Sequence, residues 1–269
     1  MTPTERRMLD LLKKGRDQFG VVALKAEFEA EGTRPDEMLR LLDLARRADL
    51  KVALKIGGCE AVSDLHASRL YAADYIIAPM VETPYALTKF AEARDKVYGA
   101  DAGGTEFLFN LETASTLAAL DDMAPIAAQA GLNGIVFGRV DFTLSKGMPR
   151  GAINERSITD AVLSVAEACI YHDLDLVVGG SVAVEAAPIL REIHQLRLDR
   201  FETRKVIFDG DAATLPDFAA GIANAMAFEL AWLENKRDTY RAIAEEDAAR
   251  IAMMRERLVR ADSPTSIAA

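Results

Sequence analysis

The stretch FLFNLETASTLAALDDMAPIAAQAGLNGIVFG, residues 107–138, decides the architecture. It opens on a short aromatic and aliphatic run, so a strand is expected over 106–111. A longer segment with helical period follows over 114–130. A second β-rich run, GIVFG, closes it at 134–138. A strand, a helix and a strand of these lengths make a βαβ unit with parallel strands. The same alternation continues in both directions. Before the unit, strands are expected near 20–27 (GVVALKAE), 51–56 (KVALKI) and 74–79 (DYIIAP); after it, near 174–179 (LDLVVG) and 203–208 (TRKVIF). Helices are expected near 35–48, 60–71, 84–97, 155–172 and 183–196. That gives seven strands, whereas a closed (β/α)8 TIM-type barrel needs eight. The first turn of the N-terminal segment, or the irregular stretch 197–203, is left to supply the eighth. The rival is an open doubly wound sheet, but no G-x-G-x-x-G follows the first strand.

Composition fits an α/β barrel in one domain, residues 1–269, at 29.3 kDa with half of the residues hydrophobic. No apolar run is long enough to span a membrane, and MTPTERRMLDLLKKG lacks the apolar core of a secretory leader. A pI near 5.0 and a net charge of −10 argue against nucleic acid as the main partner. Cys59 and Cys169 form neither a disulfide framework nor a zinc pattern, which suits a reducing cytoplasm. Two connections stand out: 99–105 (GADAGGT), read as a surface turn, and 142–154 (FTLSKGMPRGAIN), read as a lid or binding loop. From 215 to 260 the chain reads as a helical arm. Its apolar positions Leu230, Leu233, Tyr240, Ile243, Ile251, Met254 and Leu258 are spaced by about three and four, and such a stripe needs an apolar partner, its own barrel or a second subunit. The last residues, DSPTSIAA, read as frayed.

In a parallel barrel the chemistry sits at the C-terminal ends of the strands. Those ends carry Lys25, Glu27 and Glu29; Lys55 with Gly57 and Gly58; Glu82; Asn110 and Glu112; Arg139 and Asp141; Gly179 to Ser181; and Glu202, Arg204 and Lys205. A carboxylate there is costly unless solvated, paired or metal-bound. Two successive strands run into one, at Glu112 and at Asp141. Neighbouring strands lie about 4.8 Å apart, so the two acids could share one Mg²⁺ or Mn²⁺, ions that take oxygen ligands and keep several waters. The plain alternative is that each acid favours the start of a following helix.

The segment LFNLETASTLAALDDMAPIAAQAGLNGIVFGRVDFTLSKGM resembles the signature region of the HpcH/HpaI aldolase and citrate lyase β-subunit family. The matching elements are Leu111-Glu112-Thr113 at one strand end and Gly138-Arg139-Val140-Asp141-Phe142-Thr143 at the next, continued by Ser145 and Gly147. Upstream, IIAPMVETPYAL resembles the family's preceding strand. The resemblance implies a barrel of the phosphoenolpyruvate/pyruvate type. It also implies a divalent cation, Mg²⁺ or Mn²⁺, held by Glu112 and Asp141, and a pyruvate-like oxo acid that reacts through a metal-stabilised enolate. The backbone at Gly138 would face the substrate carboxylate, with Arg139 beside it. Homo-oligomers with exchanged C-terminal helices are common in the family, which suits the arm.

Two departures bear on mechanism. Lys55 stands where the family has an arginine; it keeps the charge but not the bidentate fork. The family's proton-transfer histidine has no counterpart in KAEFEAEG, and His66, His172 and His194 all fall in or near helices. Glu27 or Glu29 is the expected substitute, the alternative for both being ion pairing with Lys25, Lys55 or Arg204. Lys25, Lys55, Arg204 and Lys205 form a local basic cluster on an acidic protein, which marks an anionic ligand. A Schiff-base lysine is the metal-free option. Cys59 reads as a small packing residue. The expected activity is a carbon–carbon lyase of the metal-dependent aldolase type, with Lys55, Glu27 and Glu29 catalytic, Lys25, Gly138, Arg139 and Arg204 binding substrate, and Glu112 and Asp141 on the metal. A citrate-lyase-like acyl-CoA lyase and a non-catalytic barrel that binds an anionic metabolite are the alternatives.

Overall fold

In chain order, the strands β1 (Val21–Glu27), β2 (Lys51–Lys55), β3 (Tyr75–Ala78), β4 (Glu106–Leu111), β5 (Gly134–Gly138), β6 (Asp175–Gly179), β7 (Arg200–Glu202) and β8 (Val206–Asp209) close into one barrel. The computed structural model describes residues 1–262; the expected fraying of DSPTSIAA falls almost wholly on 263–269, outside the described residues. Around the barrel lie α1 (Pro3–Phe19), α2 (Pro35–Arg47), α3 (Val62–Tyr71), α4 (Pro84–Tyr98), α5 (Ala114–Ala118), α6 (Leu120–Gln129), α7 (Arg139–Ser145), α8 (Arg156–His172), α9 (Ala187–His194) and α10 (Phe218–Asp262).

The missing strand is β7, drawn from the 197–203 stretch. The N-terminal segment supplies a helix instead. Thr2 caps α1 through Glu5 N, the Glu5 side chain returns to Thr2 N, and Pro3 fills the first turn, where its absent N–H costs nothing. The barrel is not wholly parallel. β8 runs antiparallel to both β7 and β1. Only residues 203–205 separate β7 from β8, and a parallel return needs a crossover of about a dozen residues or more, so the pair must form a hairpin. Two further corrections concern the signature region. The helix expected over 114–130 breaks at Ala119, ahead of Pro125, whose ring disfavours one long uninterrupted helix. The stretch 142–154 is mostly ordered helix: α7 starts directly at the end of β5, and Arg150–Asn154 makes a 3-10 turn.

Alternation along the strands sorts the barrel interior into three layers. The middle one is apolar: Ala23, Ala53, Tyr75, Ile77, Leu108, Val136, Val177 and Ile207. Below it, at the N-terminal ends, Arg200 donates to Glu106 at 3.0 Å and to Asp175 at 2.7 Å and stacks over Tyr75. Above it the inward positions are Lys25, Lys55, Asn110, Gly138, Gly179 and Glu202. The larger core lies between barrel and helices, with Phe90, Phe107, Phe109, Phe137, Phe201, Phe208 and Phe228 essentially inaccessible.

Because β8 runs downward, α10 starts at the N-terminal end of the barrel and climbs back along α1. Gly221 meets Phe19, Asn224 donates to Leu11 O, Glu229 accepts from Thr203 and from Lys205 N, and the Tyr240 hydroxyl bonds Glu37 at the start of α2. Trp232 is buried on this half of the helix. The arm therefore packs on its own barrel up to about Tyr240. Residues 241–260 are all exposed, including Ile243, Ile251, Met254 and Leu258. At 1.5 Å per residue, that part reaches about 30 Å past the C-terminal mouth.

Candidate active site

Glu112 follows β4 directly and is 2% exposed. Its expected alternative role, capping the next helix, belongs to Thr113, whose Oγ1 accepts from Thr116 N. Glu112 instead turns inward. Met80 N donates to its Oε1 at 2.9 Å and Asn110 Nδ2 to its Oε2 at 2.7 Å, while the Lys55 ammonium lies 3.7 Å from Oε2. Met80 reaches Glu112 from a left-handed conformation, φ 48°, which costs a non-glycine residue about 1–3 kcal/mol. Gly138 makes this placement possible, since a Cβ there would lie 2.8 Å from Glu112 Cβ and 2.9 Å from its Oε2.

The opposite side of the mouth is built around Lys25. Its buried ammonium bonds Glu202 and lies 3.3 Å from Glu27. Burial pulls the Lys25 pKa down, but Glu202 and Glu27 outweigh it and the net shift is upward. Lys25 is thus held charged, which does not suit a Schiff base. Lys205 differs: burial dominates and lowers its pKa, although it bonds Glu31. Glu27 is also buried. Burial alone would raise its pKa, yet Lys25, Lys55 and Arg204 together hold it below the ordinary carboxylate range. Glu29 lies past the end of β1 and pairs with Lys55 at 3.2 Å.

The structure thus gathers Lys25, Glu27, Glu29, Lys55, Glu112, Gly138 and Arg204 at one mouth. Arg204 sits in the β7–β8 turn and donates to Glu31 at 2.9 Å. Asp141 lies close in sequence but is not on a strand end. It occupies the first turn of α7, is exposed, and its carboxylate has no partner among the described residues. Arg139, expected at the substrate, is fully buried and serves as a brace. It donates to Gly179 O at 3.2 Å, Gly180 O at 3.0 Å and Asn154 Oδ1 at 3.0 Å, and burial lowers its pKa to about 10. Cys59 is no activated thiol, since burial raises its pKa.

In the sequence Asn110 and Glu202 read as strand-end polar residues without a role, and nothing there points to Glu31 or to the backbone N–H of Met80. The spacing of Asn110 two residues before Glu112 is a signal for the first, because it puts both on one strand face. Glu31 lies in irregular chain and carries no such signal. Asn110 Oδ1 and Glu202 Oε2 are buried with no hydrogen-bond partner.

Among the described residues no three His, Cys, Asp or Glu side chains form a metal cage. The oxygens beside Glu112 are its own carboxylate and the unpartnered Asn110 Oδ1, and the free carboxylate of Asp141 stands in the first turn of the helix that leaves the next strand end. That all-oxygen set fits a hard divalent cation that retains waters, and it does not fit a soft metal.

An eight-stranded closed barrel with acids and lysines gathered at its C-terminal mouth defines a protein of the TIM-barrel class. The sequence matches the HpcH/HpaI aldolase/citrate lyase family over residues 37–187, and the chain belongs to that family. Solved structures agree in fold. An HpcH/HpaI aldolase/citrate lyase family protein from Burkholderia cenocepacia J2315 is 15% identical, with 90% of each chain covered and a TM-score of 0.60. The HpcH/HpaI aldolase from Desulfitobacterium hafniense DCB-2 is 13% identical, with 81% of this chain and 88% of that one covered and a TM-score of 0.58. No curated protein matches the sequence. Membership brings a lyase or aldolase function, and no described helix is long and apolar enough to cross a membrane.

Proposed function

We propose that the protein makes or breaks a carbon–carbon bond beside the carbonyl of a pyruvate-like 2-oxo acid, through an enolate, with a divalent cation. One observation carries this reading. Glu112 is buried beside the Lys55 ammonium with its orientation fixed from two sides, next to the strand end that leads into Asp141. Glu112 and Asp141 would hold the cation, with Asn110 Oδ1 within reach of the same position. When bound, such an ion acts as a Lewis acid and meets the charge that develops on the carbonyl oxygen.

The remaining roles fall to side chains of the chain itself. Lys55, beside Glu112 and Glu29, draws in the anionic oxo acid and polarises its oxygens as a point charge. Lys25 and Arg204 add positive potential on the opposite side. Gly138 leaves its backbone open to the substrate carboxylate. Arg139 fixes the start of α7, and with it the position of Asp141, against the loop after β6. The exposed half of α10 pairs with a second copy of the chain, so the working form is a homo-oligomer.

The test is solvent exchange at the methyl group of pyruvate, followed by proton NMR in D₂O. Exchange with Mg²⁺ or Mn²⁺ that stops on adding chelator is the expected result. Exchange that survives chelation points to a lysine-based route; exchange under neither condition contradicts the oxo-acid reading.

A further inference from the structure

Five carboxylates ring the mouth, and they differ in what their oxygens are already doing. Glu31 accepts from both Arg204 and Lys205. Glu112 has both oxygens engaged, by Met80 N and by Asn110. Glu27 is shared between Lys25 and Arg204. Glu29 reaches Lys55 from the rim, where water is at hand. Glu202 alone among them has an oxygen that is itself buried and without any partner, since Glu27 Oε2 still has Arg204 at 4.0 Å. Glu202 is 5% exposed, its Oε1 is tied to Lys25, and its Oε2 has no donor among the described residues.

Its surroundings suit proton transfer. Glu202 stands at an inward position of β7, directly above Val136, Val177, Leu108 and Ile207. Next to it β6 ends in Gly179, where a Cβ would lie 2.9 Å from Glu202 Oε1. Gly179 pairs in register with Gly138, the residue that clears space for Glu112. Two glycines paired on neighbouring strands therefore make room for two acids, Glu112 over Gly138 and Glu202 over Gly179. A buried carboxylate with one oxygen pinned and the other unengaged is oriented to accept a proton.

We propose that Glu202 is the general base of this barrel, the role for which the sequence pointed to Glu27 or Glu29. The inference rests on the oxo-acid reading. In the step, the C–H bond next to the substrate carbonyl breaks and the proton passes to Glu202 Oε2. The electron pair becomes the carbon–carbon π bond of the enolate, and the negative charge moves to the former carbonyl oxygen. Return of a proton from Glu202 to the same carbon restores the keto acid and the carboxylate. Lys25 is the positioning residue that holds Oε1.

The experiment uses the full chain with Mn²⁺ and pyruvate in D₂O, alongside calorimetric binding of oxalate, a planar dianion shaped like the enolate. Glu202→Gln keeps the size and an acceptor for Lys25. It is expected to slow exchange by about 10²-fold or more while oxalate binds within about 3-fold of wild type. Exchange at the wild-type rate, or loss of oxalate binding together with exchange, overturns the proposal. Should Glu202→Gln fail to fold, Gly179→Ala displaces the carboxylate without changing its chemistry; it should slow exchange at least about 10-fold, and an unchanged rate overturns the proposal equally. Absence of exchange in the wild type is a different failure, because it removes the oxo-acid reading itself.

Discussion

The two ends of the barrel are built from the same residue types to opposite effect. At the N-terminal end the cations are answered: Arg200 by Glu106 and Asp175, Arg197 by Asp199 and Asp175, Lys51 by Glu106. At the C-terminal end carboxylates outnumber cations and two buried oxygens lack donors. Buried polar groups are normally satisfied. The contrast assigns stability to the lower end and chemistry to the mouth.

The comparison breaks if mutations at the two ends have interchangeable effects. Glu112→Gln or Asp141→Ala should lower pyruvate exchange by about 10²-fold or more and leave circular dichroism and the thermal midpoint near wild type. Full activity in either variant removes the metal assignment. Arg200→Met should do the reverse. Glu106 and Asp175 are each 32% exposed and keep Lys51 and Arg197, so the loss of the charged hydrogen bonds is expected to cost about 1–3 kcal/mol in denaturant titration, with exchange per folded molecule unchanged.

Acid titration sharpens the same contrast. The pKa of Glu27 is depressed in the fold, so its stabilising effect is present above the unfolded carboxylate value of about 4.3 and is lost as pH falls through the lower folded value. At the other end burial raises the pKa of Asp175 despite Arg200, so its contribution declines as pH rises from about 3.9 toward the folded value. Stability measured from pH 2 to 6 should therefore lose part of its acid-side slope in Glu27→Gln. An unchanged slope counts against the Lys25–Glu27–Arg204 arrangement. The smallest effect on the fold is expected at the arm. Ile251→Glu with Leu258→Glu should shift sedimentation toward a smaller species with little change in thermal midpoint, because neither side chain is buried in the chain itself. An unchanged sedimentation profile contradicts pairing through the arm.

Much of this was legible in the sequence, since period-2 runs alternating with helical ones are a local signal. The reversed β8 was not legible, because 203–208 reads as one run and the three-residue gap that leaves no room for a crossover appears only once β7 ends at Glu202. Glu112 could be read from its place at a strand end. Asp141 was assigned to a strand end because the helix that starts at Arg139 follows β5 without a linker. Arg139 looked like an anion binder because its burial, with Gly179 O, Gly180 O and Asn154 Oδ1 as acceptors, depends on how the loop after β6 folds back. The importance of Glu202 depends on register. Nothing local says that Gly179 stands beside it, or that Gly138 pairs with Gly179 and admits Glu112.

The most direct test of the central claim is crystallographic: grow the protein with Mn²⁺ and oxalate and measure anomalous scattering at the manganese edge. The account predicts one strong peak at the barrel mouth, about 2.1–2.2 Å from oxygens of both Glu112 and Asp141, with oxalate on its far side near Lys55. A manganese peak bound elsewhere, or oxalate seated in the mouth with Glu112 and Asp141 both unligated, would contradict it.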